Sequence, residues 1–365
     1  MFSFRILAQA YTDFAAAAPS PGATGTLQAG WAIIRPPAGI QIIRNDTMRA
    51  TAQAQPNIAL IKYWGKRDAG SNLPAVSSLS LTLDTLWTRM TVEFDAALDN
   101  DRLELNGETA SGMLPRVSQC LDLVAGGNRS RATVTSECNF PVAAGLASSA
   151  SAFAALVVAA SNAAEKRADT LTLARLAGAI SGSAARSLYP GIVLLTAGDD
   201  DIFVETIGSD WPLELVVAVT DESTKSVGSG VAMLRSAGTS PFYAGWIGHQ
   251  EQDIADALGA IRSKDFSALA AVAEHNCLKM HSLMWTSKPP VVYWNQSTLA
   301  CMQTVRKLQA DGVDVFFTID AGPQLKAVCL ADATDEVLSA LEQTSGVGRI
   351  LRSGLGAGSR SITRS

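Results

Sequence analysis

The chain has 365 residues, enough for two domains or one large one, and is 47% hydrophobic and 17% charged. That composition supplies a sizeable core and excludes a disordered chain. A net charge of −5 with no Lys/Arg-rich block argues against a nucleic-acid surface, so any anion must be met by locally concentrated positive charge.

Residues 1–47 have poor periodicity and carry Pro19-Ser20-Pro21-Gly22 and Pro36-Pro37. Asp13 interrupts the apolar middle that a secretory signal needs. The Arg-containing, acid-poor composition leaves a transit peptide open. The expectation is a non-conforming extension, disordered or upstream of a natural start, because Met48 stands just before the first strong strand pattern.

From there the pattern is mixed. Arg49–Ala54, Arg89–Phe94 and Ala132–Phe140 read as strands. Gly145–Ala163 reads as a buried helix with Phe153, Leu156 and Val157 at helical spacing, and Thr170–Leu188 as a second helix with a stripe of Leu171, Leu173, Leu176 and Ile180. Gly191–Leu195 and Glu214–Thr220 are expected strands. A change of character near residue 212 suggests domains at 48–212 and 213–365. Beyond it four helices are expected, near Gln252–Arg262, Phe266–Trp285, Gln296–Ala310 and Ala333–Gln343. Strands Val313–Asp320 and Leu325–Leu330 flank a tight turn, Ala321-Gly322-Pro323-Gln324.

No apolar run reaches the roughly 18 residues of a membrane span. Cys120, Cys138, Cys277, Cys301 and Cys329 show no CxxC pattern and read as reduced thiols of a cytoplasmic protein. His249, His275 and His281 have no metal-binding spacing.

Four segments can carry chemistry. Pro141–Ala150, PVAAGLASSA, follows a strand and opens a helix. Unpaired N–H groups at a helix start, Gly145 for close approach, and the Ser148 and Ser149 hydroxyls suit a phosphate, although a small-residue helix packed on a sheet fits equally well. It is neither a Walker A loop nor a dinucleotide turn. Pro56–Asp68 ends an apolar run in Lys62, Tyr63, Trp64, Lys66 and Arg67. That is either a solvated basic loop or, in so acidic a chain, an anion site. In Ser181–Tyr189, Arg186 either grips a carboxylate or phosphate, helped by Ser183 and Ser187, or complements a helix C-terminus. Asp320 ends VDVFFTID as a turn-former or a catalytic carboxylate.

Taken together and in this order, the four resemble the GHMP kinase superfamily and, within it, the diphosphomevalonate decarboxylases. The resemblance rests on Pro56–Asp68, Asn72-Leu73-Pro74 with Ser77-Ser78-Leu79-Ser80, Pro141–Ala150, Ser181–Leu188 and Asp320–Pro323, joined by Met280-His281, Pro289-Pro290 and Tyr293-Trp294. It covers roughly residues 48–365. It implies an α+β, two-domain GHMP kinase-like fold. The N-terminal, ATP-binding domain would be of the ribosomal protein S5 domain 2-like type and the C-terminal one ferredoxin-like, with the site in the cleft between them. The implied reaction, in the mevalonate pathway of isoprenoid biosynthesis, converts ATP and (R)-5-diphosphomevalonate to isopentenyl diphosphate, ADP, phosphate and carbon dioxide, with Mg²⁺.

Position by position, Asp320 matches the family's catalytic Asp, Arg186 the holder of the substrate carboxylate, and Lys62 a lysine beside that Asp. Tyr63 and Lys66 match contacts to the terminal phosphates, and Ser183 a further substrate contact. Pro141, Gly145, Leu146, Ala147, Ser148 and Ser149 match the loop around the ATP phosphates, and Ser229 a serine near them. Ala185 stands where the family usually has Cys, Pro190 where it has Gly, and Gly230 where relatives often carry a polar or basic residue reaching the substrate phosphates. A phosphomevalonate decarboxylase, a mevalonate 3-kinase-like enzyme and a non-catalytic binder are the alternatives. Retained Asp320, Arg186 and Lys62 argue against the kinase, and retained Asp320, Arg186 and the Gly145 loop against the binder. The family is often homodimeric, and neither nucleic acid nor a membrane is an expected partner.

Overall fold

The computed structural model describes residues 48–140, 146–223 and 225–362. The expected extension, 1–47, lies outside the described residues, as do Pro141 and Gly145. In chain order the first half forms β1 (Met48–Ala54), β2 (Asn57–Ile61), β3 (Lys66–Asp68), β4 (Leu73–Pro74), β5 (Ser78–Thr82), β6 (Thr88–Asp95), β7 (Arg102–Leu105) and β8 (Glu108–Thr109). Next come α1 (Leu114–Ala125), β9 (Arg131–Cys138), α2 (Ser148–Ala163), α3 (Thr170–Ile180), a 3₁₀ turn at Gly182–Leu188, β10 (Ile192–Ala197) and β11 (Ile202–Gly208). The rest is β12 (Leu213–Val219), α4 (Ser229–Thr239), α5 (Tyr243–Ser263), α6 (Phe266–Trp285), α7 (Gln296–Ala310), β13 (Val315–Ile319), β14 (Leu325–Leu330), α8 (Thr334–Glu342), β15 (Arg349–Ser353) and β16 (Arg360–Ile362).

Most expected elements stand where the patterns put them. The helix expected over Thr170–Leu188 instead ends at Ile180, and the 3₁₀ turn follows. Ser181, extended at φ −146°, breaks it. The side of α3 that is fully buried is Ala174, Ala177, Gly178 and Ile180; the leucines of the expected stripe are only partly buried. After residue 212 five helices form rather than four; the one not expected is α4, an eleven-residue helix with two Ser and two Gly. α1 also forms, amphipathic around Val117, Cys120, Leu121 and Val124 with Pro115 in its first turn.

Among the described residues, three larger sheets stack with helices between and outside them, and β3 and β4 form a fourth, two-stranded sheet. The first has strand order β16-β1-β6-β9-β7-β8, with only the β7–β9 pair parallel. β6 alternates as its sequence does, burying Thr88, Met90, Val92 and Phe94. These meet α1 and α2 in one core, and α2 is buried on most sides. The second sheet, β11-β10-β5-β2, turns Val193 and Leu195 to that core. Its other face, with Ile58, Leu60, Leu79 and Leu81, joins a second core. There it meets Leu215, Val217, Phe316 and Val328 of the third sheet, β13-β14-β12-β15, with residues of α5 and α6. The opposite face of the third sheet packs on α7 and α8. Antiparallel pairing with helices gathered to the faces is the α+β arrangement that the resemblance implies.

Side-chain caps set several helix starts. Asp169 accepts from Thr172 N–H, Asp265 from Ala268 N–H, and Asn295 forms a capping box with Thr298. The start of α2 differs. Its N-cap, Ala147, is left-handed at φ 54° and supplies no side-chain acceptor. That conformation costs a non-glycine residue about 1 kcal/mol and leaves helix N–H groups without a side-chain cap.

Candidate active site

β2 ends in a loop, 62–65, that is held from outside rather than by its own pairing. Lys62 N–H donates to Asn276 Oδ1 at 2.8 Å and Lys62 C=O accepts from Gln250 Nε2 at 2.9 Å. Trp246 Nε1 donates to Trp64 C=O at 2.9 Å. α5 and α6 thus grip both sides of the lysine's backbone. Gly65 adopts φ +113°, and a Cβ there would stand 2.4 Å from the Tyr243 hydroxyl, so this turn needs glycine.

The grip aims Lys62 at the end of β13. Its ammonium, 1% exposed, donates to Asp320 Oδ1 at 2.7 Å and to Ala59 C=O at 2.8 Å. Thr318 Oγ1 donates to the same Ala59 carbonyl, which ties β13 to β2. On the other side of the carboxylate, Lys326 Nζ of β14 lies 3.4 Å from Oδ2. Burial pushes the Asp320 pKa up, but Lys62 and Lys326 outweigh it and hold it down at about 2. The carboxylate is ionised at any ordinary pH.

Arg186 sits in the 3₁₀ turn and is 1% exposed. Its Nε donates to Asn57 Oδ1 at 3.2 Å and its Nη1 to Ser78 Oγ. Asn57 is itself fixed, donating to Ser183 C=O and Ser187 Oγ. Among the described residues no carboxylate lies within ion-pair reach of this guanidinium. Burial accordingly lowers its pKa to about 10. A buried cation without an acidic partner is costly, and an anion in the cleft that Arg186 lines would relieve it.

Tyr63, its ring 5.8 Å from the Arg186 guanidinium, crosses over Gly182 so closely that a Cβ there would lie 1.9 Å from its hydroxyl. Burial raises the Tyr63 pKa to about 12, so it stays a neutral hydroxyl. Lys66 lies further along, its pKa lowered by burial and then by Arg116 of α1. Arg116 stacks 4.6 Å from the Phe153 ring and donates to Ile180 C=O at 2.8 Å.

These groups line one cleft of about 380 Å³. It contains Lys62, Tyr63, Lys66, Ser183, Arg186, Ser229 and Asp320 of the expected set, with Ala147 and Ser149 at the uncapped start of α2. Leu146 instead turns its side chain into the second core, and Ser148 begins the helix. Arg67, the third cation of its segment, points away to Gly198 and Asp199. Four cleft or cleft-supporting residues escape the sequence reading. Lys326 has a visible signal, a single lysine inside the apolar strand LKAVCL. Asn57 stands inside a motif but has no charge to mark it. Arg116 and Lys225, whose ammonium donates to Ala321 C=O at 3.1 Å, are isolated cations in unremarkable contexts.

Comparison with known proteins decides the family. Residues 54–205 match the diphosphomevalonate decarboxylase-like N-terminal domain, and residues 215–352 match the mevalonate 5-diphosphate decarboxylase C-terminal domain. The diphosphomevalonate decarboxylase of Candida albicans is 34% identical over 358 residues, spanning 87% of this chain and 98% of the relative. The chain belongs to the diphosphomevalonate decarboxylase family. The human diphosphomevalonate decarboxylase is 33% identical over 80% of this chain and 79% of its own length. Solved structures agree. MDDEF in complex with MVAPP, AMPPCP and magnesium superposes with a TM-score of 0.82 at 36% identity, covering 87% of this chain and 100% of that one. The Staphylococcus aureus mevalonate diphosphate decarboxylase also gives 0.82, at 35% identity, covering 87% and 98%. Three stacked sheets and the cleft therefore represent the GHMP kinase-type fold of diphosphomevalonate decarboxylases.

Proposed function

We propose that this chain is an ATP-dependent carboxy-lyase that converts (R)-5-diphosphomevalonate to isopentenyl diphosphate, with ADP, phosphate and carbon dioxide as the other products, in the mevalonate pathway. The observation that carries the reading is the pairing of an ionised Asp320 with a buried Arg186 that lacks an acidic partner, both facing one cleft. The substrate needs both: a carboxylate to accept from its 3-hydroxyl and a guanidinium to hold its carboxylate.

In this reading the 3-hydroxyl oxygen attacks the γ-phosphorus of ATP and ADP departs. Asp320 Oδ1 orients the hydroxyl, takes its proton as the new O–P bond forms, and passes that proton on to the transferred phosphate or solvent, so that it is ionised again before C3–O cleavage. With so low a pKa it is a weak base, which suits a loose transition state that needs positioning more than deprotonation. The C3–O bond then breaks and phosphate leaves with the bonding pair. Electrons of the C1–C2 bond become the C2=C3 double bond, and C1 leaves as carbon dioxide. Ionised Asp320 stabilises the positive charge growing at C3, while Arg186, held by Asn57 and Ser78, keeps the carboxylate aligned for cleavage.

Ala147, Ser149 and Ser229 would take the nucleotide phosphates, with Pro141, Gly145, Leu146 and Ser148 completing the loop. Among the described residues no group of three or more His, Cys, Asp or Glu is placed to hold a metal. This donor set fits Mg²⁺ that enters on the nucleotide, bound mainly by phosphates and water, with the Ser149 and Ser229 hydroxyls as protein ligands. When bound, the ion neutralises phosphate charge.

Tyr63, Lys66 and Ser183 are proposed for the far end of the acid substrate. Gly230 adds no charge there, but Arg116 does. Two cations without a carboxylate partner among the described residues favour a diphosphate over a monophosphate. The segments 48–212 and 213–365 are proposed as the two domains. The test offers mevalonate, its 5-phosphate and its 5-diphosphate with Mg-ATP while ADP and carbon dioxide are both measured. Equimolar release from the diphosphate alone is expected; ADP without carbon dioxide would make the chain a kinase.

A further inference from the structure

Asp320 is not held by one lysine but by two, and the second enters from an unexpected direction. In the third sheet Lys326 stands directly opposite Thr318 and Val217. Strand alternation turns Leu325, Ala327 and Cys329 to α7 and α8, and Lys326 and Val328 to the opposite face, towards β2. That face is apolar at Phe316, Val217 and Val328, yet Lys326 is 0% exposed within it. A fully buried ammonium costs several kcal/mol unless an anion answers it. Packing alone therefore gives no reason for lysine over leucine here.

The answering anion is Asp320. Its side chain is 23% exposed, while Oδ2 is buried without a hydrogen bond of good geometry and meets Lys326 Nζ as an ion pair at 3.4 Å. Resting on the function proposed above, we propose that Lys326 is a positioning residue for the decarboxylation. It holds Oδ2 of Asp320 from the sheet side while Lys62 holds Oδ1, so the carboxylate cannot turn and offers the substrate hydroxyl one oxygen in one orientation.

The row Lys62–Asp320–Lys326 also carries a net positive charge into the site. The other groups whose charge reaches Asp320 are Arg186 of the 3₁₀ turn, Lys225 before α4, and His281 and Cys277 of α6. His281 is held neutral by burial, so the field is dominated by cations. Removing one of them makes Asp320 easier to protonate.

The experiment compares wild type, Lys326→Met and Lys326→Arg by pH-resolved steady-state kinetics. Lys326→Met should lower kcat on the order of ten- to hundredfold, as a misplaced reacting group does. KM for ATP and for the acid should stay within about twofold, because binding contacts remain. The acid limb of the kcat profile should move to higher pH, and Arg should restore part of both effects. Wild-type kcat and an unmoved acid limb in Lys326→Met would overturn the proposal. A second comparison needs no turnover. Asp320→Asn removes the carboxylate charge that faces both buried ammoniums and should melt below wild type, while Asp320→Asn/Lys326→Met should melt above Asp320→Asn. Failure of the double variant to recover would show that Lys326 does not answer to Asp320. If instead wild type itself releases no carbon dioxide from any of the three substrates, the proposed function fails, and the melting comparison still judges the contact.

Discussion

Lys62 Nζ and Asp320 Oδ1 meet at 2.7 Å across a sequence separation of 258 residues. The contact joins the loop after β2 to the turn after β13, and so the second sheet to the third, at the floor of the cleft. Breaking a buried ion pair by removing one partner costs about 3–5 kcal/mol, because the other charge stays behind. Asp320→Asn should therefore lower both activity and stability: kcat by on the order of 10²–10⁴-fold, as expected for loss of a proton acceptor. Nucleotide affinity should be largely retained, which fluorescence titration with an ATP analogue can check. Equal loss of turnover and of nucleotide affinity would make Asp320 a structural residue only.

Arg186 poses the opposite case. It is buried with amide and hydroxyl partners and no acid among the described residues. Arg186→Met should melt at or above the wild-type temperature without ligand, yet lose turnover. Arg186→Lys should not rescue it, since an ammonium lacks the planar fork that a carboxylate accepts from. Thermal melts with and without the acid substrate measure both effects. A strong loss of stability in the ligand-free Arg186→Met protein would show that the guanidinium serves the fold.

Gly182 is a steric test of Tyr63. A Cβ at 182 falls 1.9 Å from the Tyr63 hydroxyl and 2.2 Å from its Cζ, so Gly182→Ala must displace the ring. The expected result is a rise in KM for the acid substrate of about tenfold or more, with KM for ATP nearly unchanged.

Lys66 and Arg116 should discriminate the phosphate count. Alanine at either should raise KM for the 5-diphosphate by about 1–3 kcal/mol of lost charge-assisted contact, and narrow its advantage over the 5-phosphate. An unchanged ratio would place the terminal phosphate elsewhere.

His281 sets an acid weakness. Burial lowers its pKa from the usual 6.5 to about 3, and its Nδ1 has no hydrogen-bond partner among the described residues. A depressed histidine pKa means that the unfolded chain binds the proton first. Stability is then complete above pH 6.5 and falls as pH drops towards 3. Asp320, lowered from 3.8 to about 2, adds its own loss only between those values. Between pH 7 and pH 5 wild type should lose up to about 2 kcal/mol that His281→Gln does not lose, measured by urea denaturation at both values.

Much of the fold was legible before any coordinates. β6, whose alternation buries one face, lies where its period puts it, and the apolar runs of α6, α7 and β14 also lie where expected. α4 and the break at Ser181 depend on neighbours. α4 packs through Ala232 and Met233 into the cluster under the cleft, a contact that no local pattern announces.

The site divides in the same way. The sequence by itself determined which chemical groups are available: a helix start rich in small residues and serines, a Tyr-Trp-Gly-Lys loop, an arginine among serines, and an aspartate at a strand end. Only the tertiary structure decided how those groups are charged and aimed. It buried Arg186 away from any described carboxylate, placed Asn57 and Ser78 on it, and brought Lys326 in from the far side of Asp320. The physical reason is range. Propensity and periodicity act over a few residues, whereas the energy of a buried charge depends on every group within several ångströms, and in this protein those groups come from segments as much as 258 residues apart.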